Sequence, residues 1–412
     1  MYYDSKFAKR IEKNKLEVIK NIRLRGLDFT IVNDFLETNK SRKKLIKETE
    51  ERKAKLNKIS RKKPDKKTIV EAKKLKDEIK EKEEKIAAKW EIVDKQIRQI
   101  PNPDLLIKEK NNQVIDKWPK MEDPQKGGKN YLEIAEKLDI IDVKRAAKVS
   151  GTRFGYLKGS AALLEFALIQ LAFDVLTKEG FVPIIPPVMI KEQMMEGTGH
   201  ITEKDKDEKY FIEKDNLYLA GSAEQTLVSM HADEVFNEKD LPKRYVGFSA
   251  CFRREAGSYG KDTKGIFRVH QFDKIEMVSF CKPEDSIKEH KFLLSMQEKL
   301  MKLLKIPYQV VQIGANDLAF PAAAAYDIEA WMPSEGRHRE THTTFNDTDF
   351  QTRRLNIKYR SKKGTEFVHA LNGTAFAIGR TIIAIIENYQ QKDGSVKIPQ
   401  VLQKYIKIKE IK

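Results

Sequence analysis

Arg253, Glu255, Arg268, His270, Phe272, Lys274 and Glu276 crowd one stretch of the chain, on two short extended runs joined by a loop with Gly257, Gly260 and Gly265. Successive side chains on a strand point to opposite faces. Arg253 and Glu255 would then share a face with Cys251. Arg268, His270, Phe272, Lys274 and Glu276 would share another, leaving Phe267, Val269, Ile275 and Met277 for a core. One side of such a hairpin is a platform of cations and carboxylates around an aromatic ring. An arginine neutralises a phosphate, a phenylalanine stacks on a base, and a carboxylate accepts from an exocyclic amine. A glycine-rich loop can fold over a ligand. The pattern suits a nucleotide, although a solvated outer face with cross-strand ion pairs would carry it too.

Around this platform the region from about Tyr131 to Lys412 mixes helices and strands. An apolar helix is expected over roughly 159–179, an extended proline-punctuated run over Gly180–Pro187, and a further helix over about 286–304. Strand–helix alternation with a Gly-x-Gly-x-x-Gly turn is absent from the sequence, which argues against a parallel dinucleotide fold. The first hundred residues differ. Leu45, Thr49, Arg52, Leu56 and Ile59 recur in steps of three and four, as do Ala72, Leu75, Ile79, Ile86, Trp90, Val93, Ile97 and Ile100. Those spacings predict two helices packed along a narrow seam. Arg61-Lys62-Lys63-Pro64-Asp65 makes the turn between them, because proline breaks the helix. Pro101 and Pro103 end the second arm.

The 412 residues carry a formal charge of +17, with 34% charged residues, and lysine plus arginine outnumber acids two to one between Lys40 and Lys85. A polyanionic partner is expected from that balance. Cys251 and Cys281 supply neither a disulfide framework nor four zinc ligands, so a reducing, cytoplasmic setting is the expectation. No apolar run of the ~18–20 residues of a membrane span is expected, and no secretory leader.

The stretch "CFRREAGSYGKDTKGIFRVHQFDKIEM" (251–277) closely resembles the second signature of class II aminoacyl-tRNA synthetases in its seryl-tRNA synthetase form. "LNGTAFAIGRTIIAIIENYQQKDGSVKIPQVLQKY" (371–405) is similar to the third signature and tail, "GFVPIIPP" (180–187) to the first, and "YDIEAWMPSEGRHRETHTTFNDTDFQTRR" (326–354) to the central strands. The resemblance covers essentially the whole chain. It implies an α+β fold: a class II catalytic domain on an antiparallel sheet, residues 111–412, behind an N-terminal antiparallel coiled-coil arm, residues 1–110. It implies ATP-dependent activation of L-serine and transfer to tRNA(Ser), with tRNA(Sec) as a further acceptor. ATP is then a substrate, Mg²⁺ a cofactor, zinc is not expected, and the chain is a homodimer through its first signature.

By that resemblance Arg253 holds the α-phosphate and the substrate carboxylate, Glu255 takes the adenine amine, Phe272 stacks on the ring, and Arg380 meets the γ-phosphate. Glu340 and Thr343 match the metal-binding pair. Serine lies against Ser222, Ala223, Glu224, Arg253, Glu276 and Thr374. Arg52, Lys55, Lys58, Arg61, Lys62, Lys63, Lys66 and Lys67 make the basic surface of the tRNA arm. A site that pairs with a hydroxyl rejects alanine, because its own polar groups would be left unsatisfied.

The sequence departs from the family pattern at several points. Ser222 replaces a threonine and keeps the hydroxyl. Ala324 and Ala325 stand where relatives often carry polar residues. "ETHTT" replaces Glu-Ile-Ser-Ser and brings in His342, expected to be structural. His200 lacks the neighbours of a class I signature. Two other readings are a ligase charging a carrier protein, which would lack the arm, and an inactive RNA-binding paralogue, which would have lost Arg253, Glu255, Glu276, Glu340 or Arg380.

Overall fold

The apolar spacing of the first hundred residues becomes four helices: α1 (Ser5–Lys13), α2 (Lys15–Leu24), α3 (Thr30–Ser60) and α4 (Lys66–Arg98). The computed structural model describes residues 5–61, 65–120, 124, 126–202, 206–256, 262, 264–362 and 364–412. The chain divides into two compact units, one up to Asp104 and one from Leu105 onward.

In the first unit α3 and α4 pair antiparallel along the expected positions, with Thr49, Ile79, Val93 and Ile97 buried and Leu45, Leu56, Leu75 and Ile86 half-buried. At 1.5 Å per residue these helices run about 45–50 Å. Ion pairs cross the seam: Arg52 to Glu78 at 3.0 Å, Lys53 to Glu83 at 2.6 Å and Lys82 to Glu48 at 2.5 Å. Asp65 caps α4, accepting from the Thr68 N–H while its own N–H reaches the Thr68 hydroxyl. The base has a separate core of Phe7, Ile11, Ile22, Val32, Phe35, Val93, Ile97 and Ile100. The tip residues Lys62, Lys63 and Pro64 lie outside the described residues.

The second unit is organised by an eight-stranded sheet: β1 (Gln113–Trp118), β2 (Val182–Ile184), β3 (Lys243–Phe252), β4 (Gln271–Cys281), β5 (Tyr308–Gln312), β6 (Ala324–Met332), β7 (Arg337–Asn346) and β8 (His369–Ala377). Its order is β1-β5-β6-β7-β8-β4-β3-β2. Every neighbouring pair is antiparallel except β2 with β3. The extended run predicted over 180–187 shrinks to three residues. Pro183 cannot donate to a ladder, and β2 sits where a strand can afford that, at the sheet edge.

Four helices matter for the site: α5 (Tyr131–Lys137), α6 (Ser160–Leu176), α7 (Ala223–Ser229) and α8 (Ser286–Leu304); a fifth, α9 (Ile378–Tyr389), leaves the end of β8 directly. Leu164, Leu168 and Leu171 of α6, Leu293, Leu300 and Met301 of α8, and Ile382 and Ile385 of α9 share one core with Ile275, Met277, Ile328 and Leu371 of the sheet. The expectation of no span-length apolar stretch is corrected here. Among the described residues one helix, Ser160–Glu179, is long and apolar enough to cross a membrane, with a mean hydropathy of 1.6. One flank of α6 faces this core, while Leu163 and Phe166 stay exposed at 50% and 68%.

Candidate active site

The charged hairpin is built differently from its sequence reading. The β3–β4 ladder closes at Phe252 opposite Gln271, so Arg253, Glu255, Arg268 and His270 lie beyond the strands, on the shoulders of the loop. Only Phe272, Lys274 and Glu276 ride on a strand. The shoulders are tied together: the Arg253 N–H donates to the His270 carbonyl at 2.9 Å, and the His270 N–H donates to the Arg153 carbonyl at 2.9 Å. Phe267, assigned to the core by strict alternation, packs against that core and also lines the site, because parity has no meaning where the backbone is not a strand. Tyr131 of α5 fixes this shoulder. Its hydroxyl accepts from the Ile266 N–H at 2.9 Å and leaves no room for a side chain at Gly265, where φ is +78°.

A cavity of about 210 Å³ opens here, lined by Arg253, Glu255, Phe267, Arg268, Phe272 and Lys274 from the hairpin, Glu340 and Thr343 from β7, Thr374 from β8, and Arg380 from α9. The Arg253 guanidinium lies 5.3 Å from the Phe272 ring, and its Nε donates to the Gly221 carbonyl at 3.2 Å. Phe267 is flanked by two more guanidiniums, Arg339 at 3.8 Å and Arg380 at 4.8 Å.

Two β-bulges decide which side chains reach the cavity. Residues three apart on a regular strand face opposite ways. On β7 the register with β6 slips after Ile328, so Thr341 is the extra residue and Glu340 and Thr343 both turn to the site. On β8 the register with β4 slips between Ile275 and Glu276, so Ala375 is extra and Thr374 and Ala377 both line the cavity. Thr374 thereby sits directly opposite Glu276.

Opposite charges pair across the site. Arg380 meets Glu340 at 2.9 Å, Arg268 meets Glu255 at 2.7 Å, and Lys274 meets Glu276 at 2.5 Å. Glu276 is 2% exposed, and burial raises its carboxyl above the usual range despite Lys274. Ser222 caps α7, its hydroxyl accepting from the Glu224 N–H at 3.2 Å and lying 3.5 Å from Glu276. Burial pushes the Glu224 carboxyl up, but His200, Gln351 and Lys274 outweigh it and hold the carboxyl below its usual range. Thus Arg253 and Thr374 line the cavity itself, whereas Ser222, Ala223, Glu224 and Glu276 form a buried layer beside it.

Glu340 and Thr343 supply oxygen donors suited to a hard divalent cation. Asp327, in register with Thr343, adds a buried Oδ1 that has no hydrogen-bond partner among the described residues. His342 is buried, its ring within 2.7 Å of the Thr341 hydroxyl, and burial pushes its imidazole down to about 3. It packs near the Phe376 ring, is absent from the cavity lining and stays neutral.

Residues 208–389 match the class II tRNA synthetase core domain of the G, H, P, S and T enzymes. The chain is 42% identical to the serine–tRNA ligase of Dictyoglomus turgidum over 423 residues, covering 98% of both. It belongs to the serine–tRNA ligases. Seryl-tRNA synthetase from Pyrococcus horikoshii, solved with ATP, superposes with a TM-score of 0.92 at 38% identity, covering 100% of this chain and 99% of that one. The cytoplasmic serine–tRNA ligase of Naegleria fowleri, solved with AMP, superposes with a TM-score of 0.86 at 32% identity over 97% of this chain and 96% of that one. The fold is therefore a class II synthetase core, mostly antiparallel, with a helical arm.

In a ligase of this family the alternation of residues finds Phe272, Lys274 and Glu276 and misses Phe267, Arg339, Asp327, His200 and Gln351. Phe267 comes from irregular backbone, Arg339 and Asp327 from β7 and β6 of the same sheet, and His200 and Gln351 from elements far away in sequence. On the arm Lys55, Lys58, Arg61, Lys66 and Lys67 are exposed. Arg52 is half-buried and engaged by Glu78. Lys62 and Lys63 lie outside the described residues.

Proposed function

We propose that this chain activates L-serine with ATP, releasing pyrophosphate and forming seryl-adenylate, and then passes the seryl group to tRNA(Ser). The observation that carries the reading is the convergence of three guanidiniums, those of Arg253, Arg268 and Arg380, and the Phe272 ring on one cavity, with the buried Glu276 beside it. Phe272 and Arg380, both in the cavity lining, would enclose an adenine. Glu255, beside it, accepts from the exocyclic amine once ATP displaces Arg268 toward the phosphates. Arg253 neutralises the α-phosphate and the serine carboxylate at the point where the new P–O bond forms. Little covalent work falls to the protein, so positioning and charge neutralisation supply the rate.

Glu340, Thr343 and Asp327 would hold Mg²⁺, which supplies charge neutralisation at the departing pyrophosphate. Serine lies against Glu276, Thr374 and the Ser222–Glu224 turn. The buried carboxylates there attract its ammonium, and Thr374 and Ser222 offer hydroxyl partners. The exposed cations of the arm meet the phosphate backbone of the long variable arm, read by shape rather than by base. Leu163 and Phe166 of α6, Val182 of β2 and Ile185 just after it are exposed apolar side chains that a second copy would cover in a homodimer. The setting is cytoplasmic, with both thiols buried and reduced.

ATP–pyrophosphate exchange with serine, threonine, alanine and glycine offered separately tests this reading. Exchange is expected with serine alone. Exchange with a different amino acid would overturn the pocket assignment, and none at all would favour an RNA-binding role.

A further inference from the structure

Glu224 is buried at the start of α7 and both of its oxygens are held from outside that helix. Gln351 Nε2 donates to Oε1 at 2.8 Å and also to the Thr198 carbonyl at 3.1 Å. His200 Nε2 stands 3.4 Å from Oε2. Gln351 belongs to the short helix Phe350–Arg354, and His200 follows the short helix Glu192–Thr198 that packs on it. Gly199, at φ +78°, turns the chain so that His200 points back at the carboxylate; a Cβ there would meet the Phe350 ring at 2.7 Å. Two polar atoms beside this carboxylate, His200 Nδ1 and Gln351 Oε1, are buried without a hydrogen-bond partner among the described residues. Buried idle groups are costly, and a site waiting for a polar guest is one place where they occur.

We propose that His200 and Gln351 are positioning residues of the amino-acid pocket: by gripping both oxygens they fix the plane of the Glu224 carboxylate, so that it meets the substrate ammonium in one orientation. The inference rests on the reading of Glu224 as a serine-binding group. With His200 gone, Oε2 is free to rotate toward Lys274, whose charge already acts on Glu224. The carboxylate would then be directed at a protein cation instead of the ligand. Serine binding therefore suffers, while ATP, held by groups that line the cavity rather than by Glu224, does not.

Exchange kinetics of wild type, His200→Ala and His200→Gln test the proposal, with melting temperatures measured alongside. His200→Ala is expected to raise KM for serine about tenfold, the size of one charge-assisted hydrogen bond. KM for ATP and kcat should stay within about twofold. His200→Gln keeps an N–H donor and should restore most of the serine affinity. An unchanged serine KM in His200→Ala overturns the proposal. So does a parallel change in both KM values and kcat that glutamine does not rescue, since that marks a structural clamp. If wild type itself shows no serine-dependent exchange, the functional reading fails first, and that outcome is separate from either result for the variant.

Discussion

The helical arm and the catalytic sheet solve the problem of placing charge in opposite ways. On the arm a repeating seam makes a straight scaffold, and the outward cations Lys55, Lys58, Arg61, Lys66 and Lys67 follow from helical spacing alone. On the sheet the groups that matter depend on interruptions: the shoulders after Phe252, the bulges at Thr341 and Ala375, and the turn at Gly199. The arm distributes its task over many equivalent groups, whereas the site concentrates its task in few groups that cannot be exchanged. Substitutions in the two regions should therefore fail differently.

The largest effect is expected at Arg253. Arg253→Ala removes the cation nearest the forming bond and should lower kcat for pyrophosphate exchange by about a thousandfold. Its side chain is partly exposed, so the melting temperature should hardly move. A loss below tenfold would mean that the site, like the arm, shares its charge among replaceable groups.

Neutralising Lys55, Lys58 and Arg61 together should weaken tRNA charging by an order of magnitude, on the order of tenfold in kcat/KM, while leaving exchange untouched. The dependence of tRNA binding on salt should become shallower by about three phosphate contacts. Single substitutions should each give a fraction of the loss and should add. Loss of exchange in the triple variant would break the separation of the two regions.

This contrast also explains what was legible in the sequence. Heptad spacing is a local property, so the seam positions Thr49, Ile79, Val93 and Ile97 could be read off directly, as could the helix over 286–304. Alternation is local too and placed Phe272, Lys274 and Glu276 on one strand. It did not foresee that Phe267 lines the site as well as the core, because the strand begins only at Gln271. Glu340 with Thr343 came from family resemblance and not from periodicity, since the inserted residue at Thr341 reverses parity. His200 and Gln351 carry no local signal; only the folded chain brings them to Glu224.

A smaller effect concerns the sheet side of α6. Burial, together with a hydrogen bond to Asp273 and its charge, raises the Glu165 carboxyl to about 8. The folded protein then holds a proton that the unfolded chain releases near 4.5, so this contribution to stability is present at low pH and fades as pH climbs from about 5 through 8. Glu165→Gln cannot ionise, and its melting temperature should fall less than that of wild type between pH 6 and 9. Parallel curves for the two proteins would remove Glu165 from the account.

The smallest effect is expected back on the arm. Arg52 pairs with Glu78 at 3.0 Å, both side chains about a third exposed. Solvent-screened pairs of this kind contribute roughly 0.2–1 kcal/mol. Arg52 also donates to the Glu48 carbonyl one turn back, which holds its stem along the helix. A double-mutant cycle of Arg52→Gln and Glu78→Gln should therefore return a coupling below about 1 kcal/mol, shrinking further in 0.5 M salt. Its effect on tRNA charging should be smaller than that of Lys55 or Lys58, because its charge is already answered within the arm. If Arg52→Gln instead weakened tRNA charging more than Lys55→Gln, the guanidinium must leave Glu78 for a phosphate on binding. The seam would then be part of the recognition surface as well as its support.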